Sequence, residues 1–221
     1  MRFSVLKINL SEKSINLEDF EQGGIYGIID YALYLHDEVY KTYEVEDPYD
    51  PKNVMVFGKG PFAGSILPGA HRMTFVYRSP QYGGVFPSTM GGAAYQFQRV
   101  GIDFVVLEGK REKPTVLILT NDGEKVNVEL HEIDCEKVIE IWRGYKREEG
   151  VYALTQYLID NFNDKFEGME YRIACVGPAS LNTNMGAVFS QTLRNGKRVV
   201  GSEDWAARGG TGSVLLRAHN V

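Results

Sequence analysis

Polar and apolar side chains alternate along Phe3-Ser4-Val5-Leu6-Lys7-Ile8-Asn9-Leu10. A period of two is typical of a β-strand with one buried face. Ser14-Ile15-Asn16-Leu17 resumes the pattern after a short polar interval and is predicted to pair with the first stretch as a hairpin. Asn121-Asp122-Gly123 predicts a second hairpin between Thr115–Thr120 and Val126–Leu130, because such residues favour tight turns. Antiparallel pairing between sequence neighbours is therefore expected.

The rest of the chain adds short strands and a few helices. Further strands are predicted at Val54–Phe57, Met73–Tyr77, Phe104–Glu108, Tyr171–Val176, Gly186–Phe189 and Gly212–Leu216. Apolar residues at helical spacing predict helices at 28–39, Gly92–Val100, 135–142 behind the N-cap Asp134, and Val151–Phe162, while Glu44–Pro51 reads as a surface loop. The strands do not alternate steadily with helices. The predicted fold class is therefore α+β, as a single domain.

Composition excludes several classes of protein. The 221 residues are 43% hydrophobic and 24% charged, with 24 basic against 29 acidic residues and a net charge of −5. No Lys/Arg block suggests a nucleic-acid surface, and no apolar run approaches the roughly 20 residues of a membrane span. Cys135 and Cys175 stand alone, without the spacing of a cluster or zinc site. Two free thiols in a reducing, cytoplasmic compartment are expected.

Glycine is concentrated between Gly58 and Gly92 and again at Arg208–Gly212. Glycine lets backbone N–H groups converge on an anion, and arginine supplies a fixed fork of donors suited to phosphate. Arg72, Arg78 and Arg208 lie beside these clusters. Neither cluster matches a phosphate-binding P-loop or a dinucleotide fingerprint. The residues alone leave two interpretations open, ordinary turn chemistry or a phosphorylated ligand.

The order of the glycine-containing segments carries more information than any one of them. They are Gly60-Pro61-Phe62-Ala63-Gly64, Pro68-Gly69-Ala70-His71-Arg72, Arg78-Ser79-Pro80, Met90-Gly91-Gly92, Gly101-Ile102-Asp103 leading to Glu108-Gly109-Lys110, Val176-Gly177-Pro178-Ala179, and Ala206 to Gly212. This succession resembles the N-terminal domain of the tungsten-containing aldehyde:ferredoxin oxidoreductases. The resemblance covers nearly the whole chain, and the shared order is specific although each motif is weak.

The resemblance implies a fold and a cofactor. Residues 1–221 are expected to form one domain of two mainly antiparallel β-sheets with a few flanking helices. Such a domain carries tungsten held by two molybdopterins, with a magnesium ion bridging their phosphates. By similarity, the residues that contact this cofactor are Arg72, a first loop of Thr89, Met90, Gly91 and Gly92, and a second loop of Trp205, Ala206, Arg208, Gly209 and Gly210. No catalytic or metal-ligating side chain is expected in this chain.

Several residues depart from the family pattern. Thr89 stands where an amide side chain is expected, and Asp204 and Trp205 replace basic and small residues ahead of Arg208. An early Gly-Gly-Arg-Gly turn lacks its arginine at Gly23–Gly27. A carboxylate near two phosphates is unfavourable unless it faces away or helps to hold magnesium. His71, next to Arg72, is interpreted first as an ordinary loop histidine, and the alternative is a neutral ring that donates to a pterin or substrate.

By resemblance, the whole enzyme oxidises aldehydes to carboxylic acids and passes electrons through a [4Fe–4S] cluster to ferredoxin. The cluster cysteines belong to later domains, so the partners implied are those domains or a subunit carrying them, and this chain alone is expected to be inactive. Two copies could also pair through an apolar face that the later domains normally cover. One alternative is a non-catalytic binding or assembly subunit that has lost the cofactor. A third is a domain that binds another phosphorylated ligand. The aldehyde, and the choice of tungsten over molybdenum, stay open.

Overall fold

The computed structural model describes residues 1–221, which form twelve strands and six α-helices. The strands are β1 (Arg2–Asn9), β2 (Ser14–Glu21), β3 (Met55–Lys59), β4 (Met73–Arg78), β5 (Val85–Met90), β6 (Phe104–Glu108), β7 (Thr115–Asn121), β8 (Val126–Glu132), β9 (Glu170–Val176), β10 (Val188–Arg194), β11 (Lys197–Arg198) and β12 (Asp204–Ala206). The helices are α1 (Ile28–Tyr34), α2 (Ala93–Phe97), α3 (Cys135–Arg143), α4 (Gly150–Phe162), α5 (Ala179–Asn182) and α6 (Thr211–His219). The longest, α4, has 13 residues, and no helix has the length and hydropathy of a membrane span.

Two sheets organise the chain. The larger has the order β2-β1-β6-β3-β4-β5, and only its β1–β6 pair is parallel. In the smaller sheet, β9, β11 and β12 all pair antiparallel with β10. The β7–β8 hairpin stands apart as a two-stranded ribbon. The predicted α+β class with two mainly antiparallel sheets is therefore confirmed.

The central strands of the six-stranded sheet are buried on both faces. On β6, Val105 and Leu107 join the main core of 31 buried residues, which extends to α3, α4 and α6. Phe104 and Val106 point the other way, into a second core of 12 residues beneath α1. A central strand covered on both faces carries a continuous apolar run, as this one does. The edge formed by β4 and β5 lies next to the smaller sheet, since β5 contacts β12.

Both predicted hairpins are confirmed, with Ile8 opposite Ile15 and Thr120 opposite Asn127. The predicted helix behind Asp134 is α3, although the Asp134 carboxylate pairs with Lys113 and makes no capping hydrogen bond.

The prediction of a strand at Gly212–Leu216 is wrong. These residues belong to α6, whose positions are almost all buried. A helix enclosed on all sides shows no amphipathic stripe, and a short apolar run does not distinguish a strand from a buried helix.

Strand β10 also differs from expectation, because it continues beyond Phe189 to Arg194. Ser190, Gln191 and Thr192 are polar yet buried in it. Two of these side chains accept hydrogen bonds from Arg172 on β9, Ser190 at 2.9 Å and Thr192 at 3.1 Å. Two of the polar residues that made this strand hard to predict are therefore hydrogen-bond acceptors for a buried guanidinium.

Candidate functional site

The first predicted loop begins on a strand. Thr89 and Met90 are the last residues of β5, opposite Thr74 and Met73 of β4. Because Arg72 directly precedes Met73, this register brings Arg72 close to Gly91. Thr89 and Arg72 are exposed, whereas Met90 is fully buried in the main core. Met90 can therefore contribute only main-chain atoms to a ligand.

Gly91 and Gly92 link β5 to α2. Gly92 adopts φ 68° and ψ −24°, a left-handed conformation that favours glycine. The N–H groups of Gly91 and Gly92 donate no hydrogen bond within the chain. Two successive free N–H groups beside an exposed hydroxyl and an exposed arginine form a donor surface for an anion or for the polar edge of a ring.

The second predicted loop also begins on a strand. Trp205 and Ala206 lie on β12, opposite Phe189 and Val188 of β10. The Trp205 ring packs on Phe189 with 4.8 Å between centroids and remains 45% exposed, whereas Ala206 is fully buried. Arg208, which follows, is exposed.

Three backbone groups of residues 208 and 209 are already hydrogen-bonded within the protein. The Tyr77 hydroxyl donates to the Arg208 carbonyl at 2.9 Å, and Ser79 Oγ donates to the Gly209 carbonyl at 2.7 Å. The Gly209 N–H donates to Gln81 Oε1 at 3.1 Å. These three backbone groups are therefore paired within the chain, whereas the Arg208 side chain is exposed and has no hydrogen bond or ion pair.

The glycines of the second loop meet a packing requirement. Gly209 and Gly210 have φ of 80° and 81°. A Cβ on Gly209 would lie 2.6 Å from Phe86 Cδ1, and one on Gly210 would lie 2.4 Å from the Asn184 carbonyl oxygen. Both the backbone conformation and the close neighbours therefore exclude a side chain.

The two loops meet at Asp204. A Cβ on Gly91 would lie 2.6 Å from Asp204 Oδ1, so the loop passes directly over this carboxylate. Asp204 Oδ2 is 2.5 Å from an NH2 group of Arg172, whose side chain is 8% exposed. The carboxylate that departs from the family pattern is therefore neutralised by a buried cation.

Arg72 and Arg208 are uncommitted cations at opposite ends of β4. Neither belongs to any of the thirteen ion pairs of the chain. Arg72 directly precedes Met73, the first residue of β4. Tyr77, which bonds the Arg208 carbonyl, lies about 13 Å from Met73 along the strand, at a rise of about 3.3 Å per residue. Two separated cations and free N–H groups fit an extended ligand with more than one anionic group, as a bis-molybdopterin is.

The chain places no three His, Cys, Asp or Glu side chains together as a metal site. A magnesium ion here would therefore rely on main-chain carbonyls and on the phosphates of the ligand.

His71 and the two cysteines lie in three different environments. His71 Nδ1 accepts a hydrogen bond from the Gly64 N–H at 3.1 Å, which leaves Nε2 as the protonated nitrogen of the neutral ring. Cys175 is buried, and this burial raises the pKa of its thiol to about 11, while Cys135 is exposed and unpaired. The loop ahead of Arg72 exposes three apolar side chains, Phe62, Leu67 and, at 99%, Ile66.

Sequence comparison decides the family. Residues 5–221 match the family of the aldehyde ferredoxin oxidoreductase N-terminal domain. The chain belongs to this family. It is 65% identical, over all 221 residues, to the glyceraldehyde-3-phosphate:ferredoxin oxidoreductase of Pyrococcus furiosus, of which it covers 34%. It is 29% identical over 216 residues, 96% of its length, to the tungsten-containing aldehyde ferredoxin oxidoreductase of Pyrococcus horikoshii, covering 31% of that protein.

A solved structure shares the fold of this chain. The active-site complex BamBC of benzoyl coenzyme A reductase, in complex with 1,5-dienoyl-CoA, superposes with a TM-score of 0.74 at 23% identity. The match covers 99% of this chain and 30% of that chain, and it shows the fold alone. The chain spans about a third of the length of the curated relatives it matches.

The site contains supporting residues that sequence reasoning missed, Tyr77, Ser79, Gln81 and Arg172. Tyr77 and Arg172 lie inside strand patterns, and the sequence around them carries no local signal of their hydrogen bonds.

Proposed function

We propose that residues 1–221 are the cofactor-binding N-terminal domain of a tungsten-dependent, aldehyde-oxidising enzyme. The observation that carries the proposal is the donor surface around the first loop: Arg72 and the free N–H groups of Gly91 and Gly92, with Arg208 at the far end of β4. Membership of a family with tungsten-containing members supports it.

The residues divide the work of holding the cofactor. Arg72 and Arg208 neutralise phosphate charge, and the Gly91 and Gly92 N–H groups donate to pterin or phosphate oxygens. Exposed Thr89 and Trp205 add a hydroxyl and an aromatic face to the same surface. When bound, a tungsten bis-molybdopterin with magnesium supplies two-electron oxidation of an aldehyde to a carboxylic acid. The chain's own share is binding and orientation, so the isolated domain is inactive.

Electron transfer belongs to the remainder of the enzyme. The curated relatives extend well beyond the region they share with this chain. We assign the [4Fe–4S] cluster and the contact with ferredoxin to such additional domains, on the same polypeptide or on a partner subunit.

The substrate proposed is a phosphorylated aldehyde, glyceraldehyde 3-phosphate. The support is the 65% identity to the Pyrococcus furiosus enzyme of that name, against 29% to a relative named for aldehydes in general. The check is ferredoxin reduction by the complete enzyme with glyceraldehyde 3-phosphate and with unphosphorylated glyceraldehyde. We expect a strong preference for the phosphorylated compound, and equal rates would overturn the substrate assignment.

The test of the cofactor proposal is the tungsten, molybdenum, iron and phosphorus content of the protein purified from its native host, together with the mass of its complex. Near-stoichiometric tungsten and iron in a complex larger than the 24.8 kDa chain support the proposal. A metal-free species at 24.8 kDa would favour a non-catalytic subunit instead. Phosphorus without tungsten or molybdenum would favour a different phosphorylated ligand.

A further inference from the structure

A buried ion pair lies where the two loops meet. Arg172 projects from β9 and Asp204 from β12, and their closest atoms, NH2 and Oδ2, are 2.5 Å apart. The side chain of Arg172 is almost completely buried, and that of Asp204 is 30% exposed. Burial lowers the pKa of Arg172, and the neighbouring carboxylate opposes that shift. The guanidinium therefore depends on Asp204 as its counter-charge.

Arg172 is held on every side. Its Nε donates to Ser190 Oγ at 2.9 Å, its NH1 to Thr192 Oγ1 at 3.1 Å, and its NH2 to the Ser202 carbonyl at 2.8 Å. These partners lie on β10 and on the segment leading into β12. A planar guanidinium with several fixed acceptors has one orientation, which a lysine ammonium could not reproduce.

The first loop rests on this pair with no space between. A Cβ on Gly91 would come within 2.6 Å of Asp204 Oδ1, and one on Gly92 within 2.9 Å of Arg172 NH1. Gly91 does not need a left-handed backbone, so at this position close contact is the whole reason for glycine. The ion pair thus determines the distance between the first loop and the smaller sheet.

We propose that Arg172 and Asp204 are positioning residues that fix the spacing between the first loop, residues 89–92, and the start of the second, residues 204–208. Asp204 accordingly holds Arg172 within the protein and is not a magnesium ligand. The link to cofactor loading rests on the proposed function, whereas the coupling of the loops does not.

The first experiment measures loop coupling in the 221-residue chain without any ligand. Asp204→Asn and Arg172→Lys are compared with a matched control, Arg198→Lys, which alters the two-pronged Arg198–Glu148 pair. Arg198 lies on β11 opposite Leu193 of β10, three residues beyond Ser190, which lies opposite Asp204. We expect hydrogen exchange of the amides of Ala93 and Ala94, which donate to the Gly91 and His71 carbonyls, and of the protected amides of residues 202–206 to accelerate at least tenfold in the first two variants and less than twofold in the control. Equal exchange in all three would overturn the proposal.

A second variant keeps the test decisive if Arg172→Lys fails to fold. Gly91→Ala pushes a methyl group against Asp204, and Asp204→Ala removes the obstacle. We expect Gly91→Ala to accelerate exchange in the wild-type background, and to do so at least fivefold less in the Asp204→Ala background. Identical effects in both backgrounds would mean that the loop does not rest on Asp204.

The third measurement addresses the cofactor in the complete enzyme. If the pair positions the loops, Arg172→Lys and Asp204→Asn lower tungsten content in parallel, at least fivefold, and the control does not. Loss of magnesium in Asp204→Asn with unchanged hydrogen exchange would identify Asp204 as a metal ligand and overturn the assignment. A wild-type enzyme without tungsten would defeat the proposed function, and the exchange data would still judge the coupling.

Discussion

At residues 91 and 92, two glycines leave their N–H groups unpaired and pass over the Arg172–Asp204 ion pair, whereas at residues 208 and 209 three backbone groups are hydrogen-bonded to Tyr77, Ser79 and Gln81. Both loops contain a Gly-Gly pair and lie near an exposed arginine. In the first, the two half-buried glycines have unpaired N–H groups that can serve a ligand. In the second, the glycines fit close packing, Gly209 is hydrogen-bonded through its backbone, and the Arg208 side chain is exposed.

The difference teaches that a glycine-rich loop has to be judged by where its hydrogen bonds go. Because buried polar groups of the backbone are almost always paired, a free N–H on an exposed turn indicates capacity for a ligand. The contrast between the loops also gives an order of expected effects for substitutions.

The largest effect is expected for Gly210→Ala. The substitution combines a left-handed backbone with a neighbour at 2.4 Å, and we expect a loss of about 3 kcal/mol in the free energy of unfolding, measured by denaturant titration. Gly69→Ala is the control, since Gly69 has φ 78° and open space, and should cost about 1 kcal/mol. Equal losses would mean that packing does not fix the second loop.

Next in size is Tyr77→Phe, which removes the donor to the Arg208 carbonyl and a 2.7 Å hydrogen bond with Thr211. We expect a loss of about 1–2 kcal/mol, because the buried Thr211 hydroxyl loses a partner and the Arg208 carbonyl keeps only a 3.3 Å hydrogen bond from that hydroxyl. Tyr82→Phe, at a 60% exposed position, should change the free energy of unfolding by less than about 0.5 kcal/mol.

The Tyr77 effect should also depend on pH. Burial raises the pKa of Tyr77 to about 12, so between pH 10 and pH 12 the unfolded chain loses the phenolic proton while the folded chain keeps it. The free energy of unfolding therefore falls across this range. The advantage of wild type over Tyr77→Phe should shrink from pH 9 to pH 11, and a constant difference would contradict the assignment.

A smaller effect is expected for Gln81→Ala, which frees the Gly209 N–H at a cost of about 0.5–1 kcal/mol. Amide exchange resolved by NMR should show Gly209 protected in wild type and exposed in the variant. Gly91 and Gly92 should exchange rapidly in both, and protection at those two amides without a ligand would remove the contrast between the loops.

The smallest effect on stability is expected at the two free arginines. Arg72→Gln and Arg208→Gln should each change the free energy of unfolding by less than about 0.5 kcal/mol, because both side chains are exposed and unpaired. Each should nevertheless weaken pyrophosphate binding, measured by calorimetry at two salt concentrations. Arg198→Gln is the control, because it breaks a half-buried ion pair with Glu148. It should lower the free energy of unfolding more than it weakens pyrophosphate binding.

Much of the fold could be predicted because the residue patterns that specify its hairpins are local in the sequence. The alternation at Phe3–Leu10 and the Asn121-Asp122-Gly123 turn specify hairpins without help from distant residues. The α6 segment failed because complete burial erases the periodicity that identifies a helix, and β10 was cut short because its polar residues surround Arg172.

The candidate site divides in the same way. Arg72, Gly91 and Gly92 could be placed from the order of motifs, and the structure gathers them at one end of β4 and β5. The role of Asp204 could not be predicted, since its partner Arg172 lies 32 residues away and no local pattern links them. The hydrogen bonds that commit residues 208 and 209 likewise come from β4 and the turn after it, about 130 positions earlier in the chain.

Helix α6 ties the chain to segments made much earlier during synthesis. His219 lies between the carbonyl oxygens of Asn53 and Gly109, at 3.0 and 2.8 Å from its ring nitrogens, and the Asn220 side chain bonds Arg111. The part of the main core that packs against α6 therefore cannot form before residues 211–219 have been synthesised. Contacts of such long sequence separation form slowly. For the growing polypeptide, these residues complete a core whose other segments were made earlier.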